Sequence, residues 1–357
     1  MLSDKQRKRY ARHLMLPGIG EEGQERLCSA KVLVVGAGGL GCPVLQYLAA
    51  AGTGTIGILD FDSVEESNLQ RQVLYTTEDV GKPKAAAAAA RLSAMNPLVN
   101  FRIHHTMLDR GNALEIPGEY DLVVDGSDNF PTRYLVNDAC VILGKPLVFG
   151  SIFRFEGQVS VFNYRGGPTY RCLFPEPPAE SLNCSETGVL GVLPGIIGTL
   201  QANEAIKIIT GQGEVLSGKL LLLDALNSSF SMVSFGADEK NKNIRELRSD
   251  YGLICTPAEI REISHEAFGK MIAGKEDFQL VDVREPSEYK KFNIGGDLIP
   301  LGEIEKHLGR ISRTRKVVIH CKAGGRSRQA VKILQEKHGY ANLYNLTGGI
   351  RGWGSKC

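Results

Sequence analysis

The stretch from Lys31 to Gly41 reads KVLVVGAGGLG, in which a short apolar run leads into a glycine-rich turn. The apolar run predicts a buried strand, and the glycines predict a tight turn that opens a helix. In such a turn the backbone N–H groups and the helix N-terminus face a bound phosphate. We therefore predict that this turn binds a nucleotide through its four glycines, Gly36, Gly38, Gly39 and Gly41.

The segments that follow the turn alternate short strands with helices. A helix is predicted from Val44 to Ala51, and strands are predicted at TIGILD, DLVVD and KPLVFG. A further helix is predicted from Gly81 to Arg91, because Pro83 suits a first turn and the six alanines after it are strong helix formers. This alternation is typical of α/β proteins with a parallel sheet, so we expect a Rossmann-like, doubly wound domain.

A second, smaller α/β domain is predicted towards the C-terminal end. The sequence becomes charged and irregular at 241–255, which we interpret as a linker between a first domain, 1–240, and a second, 256–357. The second domain contains the strands FQLVDV and KVVIH and a helix from about Ser327 to Lys337. Its length, roughly 100 residues, is normal for an independent domain.

The composition excludes several classes of protein. The net charge of +2 gives no basic field for nucleic acid. The longest apolar run, Val189 to Leu200, is shorter than the roughly 20 residues of a membrane span. The N-terminus is charged where a signal peptide is apolar, and the eight cysteines have irregular spacings that suit a reducing compartment. We expect a soluble, cytoplasmic protein that binds neither nucleic acid nor membrane.

Charged residues beyond the glycine turn narrow the choice of nucleotide. Asp60 ends the next strand, at the spacing where an acidic side chain meets a ribose, and this pattern suits NAD as readily as ATP. Arg71 and Lys84 add two cations, which a triphosphate needs and a nicotinamide does not. Asp128, at the end of the strand DLVVD, is a carboxylate suited to holding Mg²⁺ against phosphates. These residues favour ATP with Mg²⁺.

From about Tyr10 to Asp224 the chain resembles the MoeB/ThiF family, relatives of the ubiquitin-activating enzymes. The resemblance rests on motifs in one order: RYARHLMLPGIG, GAGGLG, LDFD, NLQRQ, GKPK, SDN and GQVSVF. It implies that ATP and Mg²⁺ are used to adenylate the C-terminal Gly-Gly carboxylate of a ubiquitin-like sulfur carrier of the MoaD/ThiS type.

The resemblance also implies a role for individual residues. It assigns the ribose to Asp60, the metal to Asp128, and the phosphates to Asn68, Arg71 and Lys84. It further implies a homodimer in which each subunit lends Arg12 to the other's site, where the guanidinium would neutralise charge on the α-phosphate.

Many members of this family hold a structural zinc with two Cys-x-x-Cys pairs, since four thiolates make a tetrahedral shell. Here the first pair is reduced to Thr169 and Cys172, and the second should fall in EKNKN, which has no cysteine. We therefore predict no zinc site and interpret Cys172 as structural. Cys184, in LNCSETGVLG, matches a loop cysteine of the family that can form a thioester or a transient disulfide. An exposed thiol without a role is an equal alternative.

Near the C-terminal end, HCKAGGRS places Cys321 after the strand KVVIH, at the head of a glycine-rich loop. Backbone N–H groups around the sulfur and a helix N-terminus lower a thiol's pKa, and Arg326 adds a fixed charge. Cysteine phosphatases place five residues between the cysteine and the arginine. Here the four residues Lys322 to Gly325 intervene, and the smaller loop favours a sulfur atom over a phosphate.

This second domain resembles a rhodanese, through VDVREPSEY and CKAGGRS, although Asn293 stands where the family commonly has histidine. The resemblance implies a persulfide on Cys321, loaded by a cysteine desulfurase or thiosulfate, which attacks the adenylated carrier to give a thiocarboxylate. Two alternatives remain open at this point, an NAD-binding oxidoreductase with a sulfur-handling tail and a non-catalytic scaffold.

Overall fold

The computed structural model describes residues 1–177, 188–251 and 260–352. The chain divides into two compact units, Met1–Leu253 and Ile254–Cys357. Each unit has its own sheet and its own apolar core.

The first unit is built on an eight-stranded sheet with the order β3-β2-β1-β4-β5-β6-β7-β8. Strands β1 to β5 pair in parallel, and β5 to β8 pair antiparallel. The strands are β1 Lys31–Val35, β2 Thr55–Leu59, β3 Asn100–His104, β4 Leu122–Asp125, β5 Leu147–Phe153, β6 Glu156–Phe162, β7 Lys219–Asp224 and β8 Ser229–Ser234.

Helices cover both faces of this sheet. They are α1 Asp4–Arg9, α2 Ala11–Leu14, α3 Gly20–Ser29, α4 Gly41–Ala51, α5 Lys84–Met95, α6 Glu115–Gly118, α7 Phe130–Leu143, α8 Tyr170–Leu173, α9 Leu193–Thr210 and α10 Glu239–Lys242, with 3₁₀ turns at Glu66–Asn68 and Thr77–Asp79. Alternate side chains of the buried strands enter two apolar cores, one on each face. This confirms the predicted doubly wound α/β fold.

The strand order places a crevice beside β1. The chain passes from β1 to β2 on one side, whereas β4 lies on the other side of β1. In doubly wound sheets, ligands bind outside the carboxyl ends of the strands where the order reverses in this way. The loops that follow β1 and β4 therefore form the two walls of a binding crevice.

The end of the first unit extends into the segment that the sequence analysis assigned to a linker. Tyr251 is buried, and its hydroxyl donates a hydrogen bond of 2.7 Å to Asp138 on α7. Arg248 pairs with Glu176 through both guanidinium nitrogens, at 3.0 and 3.2 Å. Residues up to Tyr251 thus pack as part of the first unit, because an aromatic ring and an arginine in this irregular stretch find partners that its composition does not indicate.

The second unit has a five-stranded parallel sheet in the order β11-β10-β12-β13-β9. Its strands are β9 Glu262–Ile263, β10 Phe278–Asp282, β11 Asp297–Leu298, β12 Lys316–His320 and β13 Leu343–Leu346. Its helices are α11 His265–Ala273, α12 Pro286–Lys291 and α13 Gly325–His338, with 3₁₀ segments at Leu301–Arg310 and Gly349–Gly352.

In neither unit is any described helix both long enough and apolar enough to span a membrane.

Candidate active sites

A pocket opens at the crevice beside β1, and it gathers most of the residues that the sequence predicted to bind a nucleotide. Those that line it are Gly36, Gly38, Gly39, Asp60, Arg71, Lys84 and Asp128. Gly41, Asn68 and Arg12 are not among the described residues on its wall. The pocket is therefore assembled from the ends of β1, β2 and β4 and from the start of α5.

The glycine turn needs glycine for close approach. Gly36 has a φ of +89°, and a Cβ there would lie 2.8 Å from the carbonyl oxygen of Gly126 in the loop after β4. A Cβ on Gly41 would lie 1.9 Å from the carbonyl oxygen of Gly36. The turn can thus pack against the β4 loop and still begin α4 at once, three residues before the predicted start at Val44.

Asp60 holds the glycine turn as well as lining the pocket. One carboxylate oxygen accepts the N–H of Ala37 at 2.7 Å, and the other accepts the N–H of Asp62 at 2.8 Å. Burial raises the pKa of Asp60, while the charge of Lys84 and the two backbone donors act to lower it. Since each carboxylate oxygen can accept a second hydrogen bond, the side chain can still bind a ribose hydroxyl.

Lys84 is the first residue of α5, and only 6% of its surface is exposed. Its ammonium lies 3.0 Å from a carboxylate oxygen of Asp62, and its backbone N–H donates to the carbonyl of the same residue at 2.8 Å. Asp62 also lines the pocket, and the sequence analysis did not single it out although it ends the quoted motif LDFD. The pair holds the cation at the pocket wall.

Arg71 and Asn68 belong to the segment between β2 and α5. Arg71 lines the pocket, and its guanidinium donates to the carbonyl of Ser67 at 3.2 Å. The amide of Asn68 is turned into the 3₁₀ segment, where it accepts from the N–H of Glu65 at 3.4 Å and donates to the hydroxyl of Ser67 at 3.3 Å. The structure thus brings Arg71 to the pocket and leaves Asn68 beside it.

Asp128 follows β4 and is exposed at the pocket. Among the described residues, no three His, Cys, Asp or Glu side chains converge as a metal-binding group. Mg²⁺ bound with a nucleotide needs only one or two protein carboxylates, because phosphates and water complete its shell. The single carboxylate of Asp128 is therefore an adequate protein ligand.

Arg12 lies on the short helix α2 and is exposed. Its exposure fits a residue that acts on a second subunit, and it also fits an ordinary surface charge.

Hydrogen bonds join the residues that stand where many members of the family have their two Cys-x-x-Cys pairs. The sulfur of Cys172 accepts the N–H of Thr169 and the N–H of Asp238, both at 3.3 Å. The hydroxyl of Thr169 donates to the carbonyl of Asn241 at 3.0 Å. These contacts join α8 to α10, so Cys172 has a structural part in the fold.

Of the remaining described thiols of the first unit, Cys42 and Cys140 are buried and Cys28 is half-buried. Burial raises the pKa of Cys42 to about 12 and raises that of Cys140 as well, so both are inert packing residues. Cys184, the predicted second reactive cysteine, lies outside the described residues.

In the second unit, Cys321 follows β12 and heads a loop that surrounds its sulfur. The sulfur accepts the N–H of Gly324 at 3.1 Å and the hydroxyl of Ser327 at 3.4 Å. Burial acts to raise the pKa of the thiol. Hydrogen bonds from Ser327 and from the backbone of Ala323 and Gly324 act to lower it, and together they outweigh burial, so the net shift of the pKa is downwards. The loop thus stabilises an anionic sulfur. Ser327 is a residue that the sequence analysis missed, although it ends the quoted HCKAGGRS.

Arg326, in this loop, forms an ion pair with a carboxylate. Its guanidinium pairs with both carboxylate oxygens of Glu288 on α12, at 2.7 and 2.8 Å. This bidentate pair lowers the pKa of Glu288 to about 2, so the carboxylate stays ionised at any physiological pH. The charge of Arg326 is partly neutralised, and its orientation is set by α12.

A second buried cluster lies directly behind Cys321. The ring of His320 is fully buried, with Nε2 3.8 Å from a carboxylate oxygen of Asp282. Asp282 forms a bidentate pair with Arg284, in which Nε lies 2.9 Å from one carboxylate oxygen and Nη2 lies 2.6 Å from the other. Burial lowers the pKa of His320 to about 4, so the ring is neutral at pH 7. The hydrogen bonds between Asp282 and Arg284 hold the start of the loop that follows β10.

Comparison with known proteins matches each of the two units to a protein family. Residues 10–245 match the sequence pattern of the ThiF family, and residues 264–356 match that of the rhodanese-like domain. Among curated proteins, the probable adenylyltransferase/sulfurtransferase MoeZ of Mycobacterium tuberculosis is 44% identical, over 99% of this chain and 94% of the relative.

Two further relatives match one or both units. The sulfur carrier protein adenylyltransferase of Thermus thermophilus is 60% identical over 62% of this chain and 84% of its own. The adenylyltransferase and sulfurtransferase MOCS3 of Arabidopsis thaliana is 40% identical over 99% of this chain and 84% of its own.

Among solved structures, E. coli MccB is similar to this chain in fold. Its TM-score is 0.56 at 22% identity, and the match covers 64% of this chain and 68% of MccB.

Proposed function

Because the chain belongs to the ThiF family and carries a rhodanese-like domain, we propose that it adenylates the C-terminal carboxylate of a ubiquitin-like sulfur carrier and then transfers sulfur to it from Cys321. The protein is an adenylyltransferase and a sulfurtransferase, as relatives that match almost its whole length are named. One observation supports the proposal above all. A single pocket gathers the glycine turn, two cations and the carboxylate of Asp128.

In the first step, the terminal carboxylate of the carrier attacks the α-phosphorus of ATP. The bond to the bridging oxygen breaks, pyrophosphate leaves, and a carrier acyl-adenylate forms. Lys84 and Arg71 bind the phosphates, and Asp60 binds the ribose. Preorganised cations favour this step because they meet negative charge as it develops on the leaving group.

Mg²⁺ bound to ATP would neutralise phosphate charge, and the carboxylate of Asp128 would hold it. We also propose a homodimer in which Arg12 of the partner subunit reaches the α-phosphate, since Arg12 is exposed and does not line its own pocket among the described residues.

In the second step, the terminal sulfur of a persulfide on Cys321 attacks the carbonyl carbon of the acyl-adenylate. The carbon–oxygen bond to AMP breaks, AMP leaves, and an acyl disulfide joins the carrier to Cys321. The hydrogen bonds that Gly324 and Ser327 donate to the Cys321 sulfur support the loading of the persulfide, because they stabilise the thiolate that accepts the sulfur atom.

Release of the thiocarboxylate needs a second thiol, for which we propose Cys184. Its thiolate attacks the sulfur of Cys321, the sulfur–sulfur bond to the carrier breaks, and the carrier leaves as a thiocarboxylate. The Cys184–Cys321 disulfide that remains is reduced by an external thiol. We further propose that the sulfur is loaded by a cysteine desulfurase or thiosulfate, and that the enzyme works in the cytoplasm.

The test is ATP–pyrophosphate exchange by the full chain, with each small Gly-Gly-terminated carrier of the same genome supplied in turn. We expect exchange that depends on one carrier and is lost in Asp128→Ala, and that carrier then indicates whether the pathway leads to molybdopterin, thiamine, cysteine or thiolated tRNA. Addition of thiosulfate should then convert the carrier to a thiocarboxylate, a mass increase that Cys321→Ala abolishes.

Absence of exchange with every carrier would overturn the proposal. A preference for NAD over ATP in direct binding would favour the oxidoreductase that the sequence pattern alone left open.

A further inference from the structure

Asp128 has an exposed side chain, so its direction depends on the backbone that carries it. That backbone is the loop between β4 and α7. The preceding residue, Ser127, is held on both of its backbone polar groups by buried charged side chains. Its N–H donates to the carboxylate of Asp125 at 2.9 Å, and its carbonyl accepts from the guanidinium of Arg133 at 3.3 Å.

The carbonyl of Ser127 belongs to the peptide bond that leads into Asp128. A hydrogen bond from Arg133 to this carbonyl therefore restricts the peptide plane from which the Asp128 side chain projects. Because the donor is a charged group, the bond is stronger than one between neutral partners.

Arg133 is itself rigidly placed. It is 6% exposed, and a second nitrogen of its guanidinium donates to the hydroxyl of Ser151 on β5 at 3.0 Å. The guanidinium also lies 5.5 Å from the ring centroids of Phe130 and Phe149. The guanidinium of Arg133 thus links the loop after β4 to the neighbouring strand, β5.

The buried polar groups of this arrangement do not favour the stability of the fold. Among the described residues, Nε of Arg133, the second carboxylate oxygen of Asp125 and the hydroxyl of Ser127 are buried without a hydrogen-bond partner. Burial raises the pKa of Asp125, and the charge of Arg133 acts to lower it. Buried charges and unpaired polar groups destabilise a fold, and apolar residues of similar volume would often serve it better.

We propose that Arg133 is a positioning residue for adenylation, which holds the Ser127 peptide so that the carboxylate of Asp128 faces the metal–nucleotide complex. The inference rests on the proposed function, because it presupposes that Asp128 binds Mg²⁺ with ATP. Ser151 supports Arg133 from the other side.

The test uses the full chain with Arg133→Gln, Arg133→Lys and Ser151→Ala, and with Arg245→Gln as the matched control at an exposed arginine of the same unit. ATP binding is measured by calorimetry, once with Mg²⁺ and once with EDTA. For Arg133→Gln we expect affinity in Mg²⁺ to fall about tenfold and affinity in EDTA to stay within about twofold of wild type. Arg133→Lys and Ser151→Ala should show smaller losses of the same kind, and Arg245→Gln should show none.

A second comparison separates positioning from general loosening. In the Asp128→Ala background, Arg133→Gln should weaken Mg²⁺-dependent binding no further, because the residue through which it acts is gone. Equal losses with Mg²⁺ and with EDTA, or wild-type binding by the variants, would overturn the inference. If Arg133→Gln does not fold, Arg133→Lys and Ser151→Ala decide it. Calorimetry needs no carrier, so a failure of exchange in the wild type would reject the proposed function without affecting this result.

Discussion

At the scale of single residues, each of the two sites has a sulfur or carboxyl group that accepts hydrogen bonds from nearby donors. The sulfur of Cys321 accepts hydrogen bonds from an N–H and an O–H donor, and the carboxyl group of Asp60 accepts hydrogen bonds from the N–H groups of Ala37 and Asp62. In both places the sequence predicted the group that accepts these hydrogen bonds. The residues that hold or pair with it, Ser327 and Asp62, were not predicted.

Replacing Ser327 by alanine should raise the pKa of the Cys321 thiol, because the hydroxyl that donates to its sulfur is lost. The pH midpoint for alkylation of Cys321 by iodoacetamide should move upwards, and alkylation below that midpoint should slow about tenfold. Peptide mass spectrometry on the full chain distinguishes this thiol from the others. Ser287→Ala, at an exposed serine of α12, is the control, and an unchanged pH profile for Ser327→Ala would contradict the prediction.

At the scale of elements, the glycine turn and the β4 loop depend on each other's backbone. Ala37, inside the turn, donates its N–H to Asp60 and accepts a hydrogen bond from the hydroxyl of Tyr75 at 2.8 Å. Gly36 packs on Gly126, as its positive φ and missing side chain allow. The walls of the pocket are therefore set by backbone contacts between elements that are distant in sequence.

Replacing Gly41 by alanine should distort this junction, because its Cβ would meet the carbonyl oxygen of Gly36 at 1.9 Å. We expect the melting temperature to fall by several degrees and ATP affinity to fall at least tenfold, measured by calorimetry. The control is Gly195→Ala on α9, where a Cβ meets nothing within 4 Å and alanine should stabilise the helix by up to about 1 kcal/mol. Unchanged ATP affinity in Gly41→Ala would show that the junction tolerates a side chain.

At the scale of the molecule, each unit has a separate core and so a separate response to acid. In the second unit we expect His320 to make the fold sensitive to acid. Its ring is buried among β10 and β12 with Asp282 and Arg284, and it is neutral because burial lowers its pKa to about 4. A base whose pKa is lower in the folded state stabilises the fold above its unfolded pKa of about 6.5, and this stability is lost as the pH falls towards 4.

The second unit should therefore lose stability progressively between about pH 6.5 and 4, by up to about 3 kcal/mol. Urea unfolding followed by hydrogen exchange of peptides from 278–346 measures this unit within the full chain. His320→Gln should flatten the pH dependence, whereas His307→Gln, at a half-buried histidine of the same unit, should leave it intact. A His320→Gln profile as steep as that of the wild type would rule out His320 as the cause.

The sequence by itself determined the fold class of both units and the chemically distinctive residues of both sites. Strand–helix alternation, the glycine turn and the cysteine loop are local patterns. Such patterns can be recognised in the sequence without knowing which residues they contact in the fold. The alternation predicted β1, β2, β4 and β5, and it predicted β10 and β12, with helix starts displaced by a few residues.

Only the tertiary structure decided which side chains hold those residues in place. Arg133, Tyr75 and Glu288 look like ordinary helix or loop residues in the sequence, because their partners lie on other elements. The same reason explains the segment at 241–251. Its composition is that of a linker, yet Tyr251 reaches a buried carboxylate more than a hundred positions away. Hydrogen bonds of this kind depend on distances between folded elements, which the order of residues along the chain does not contain.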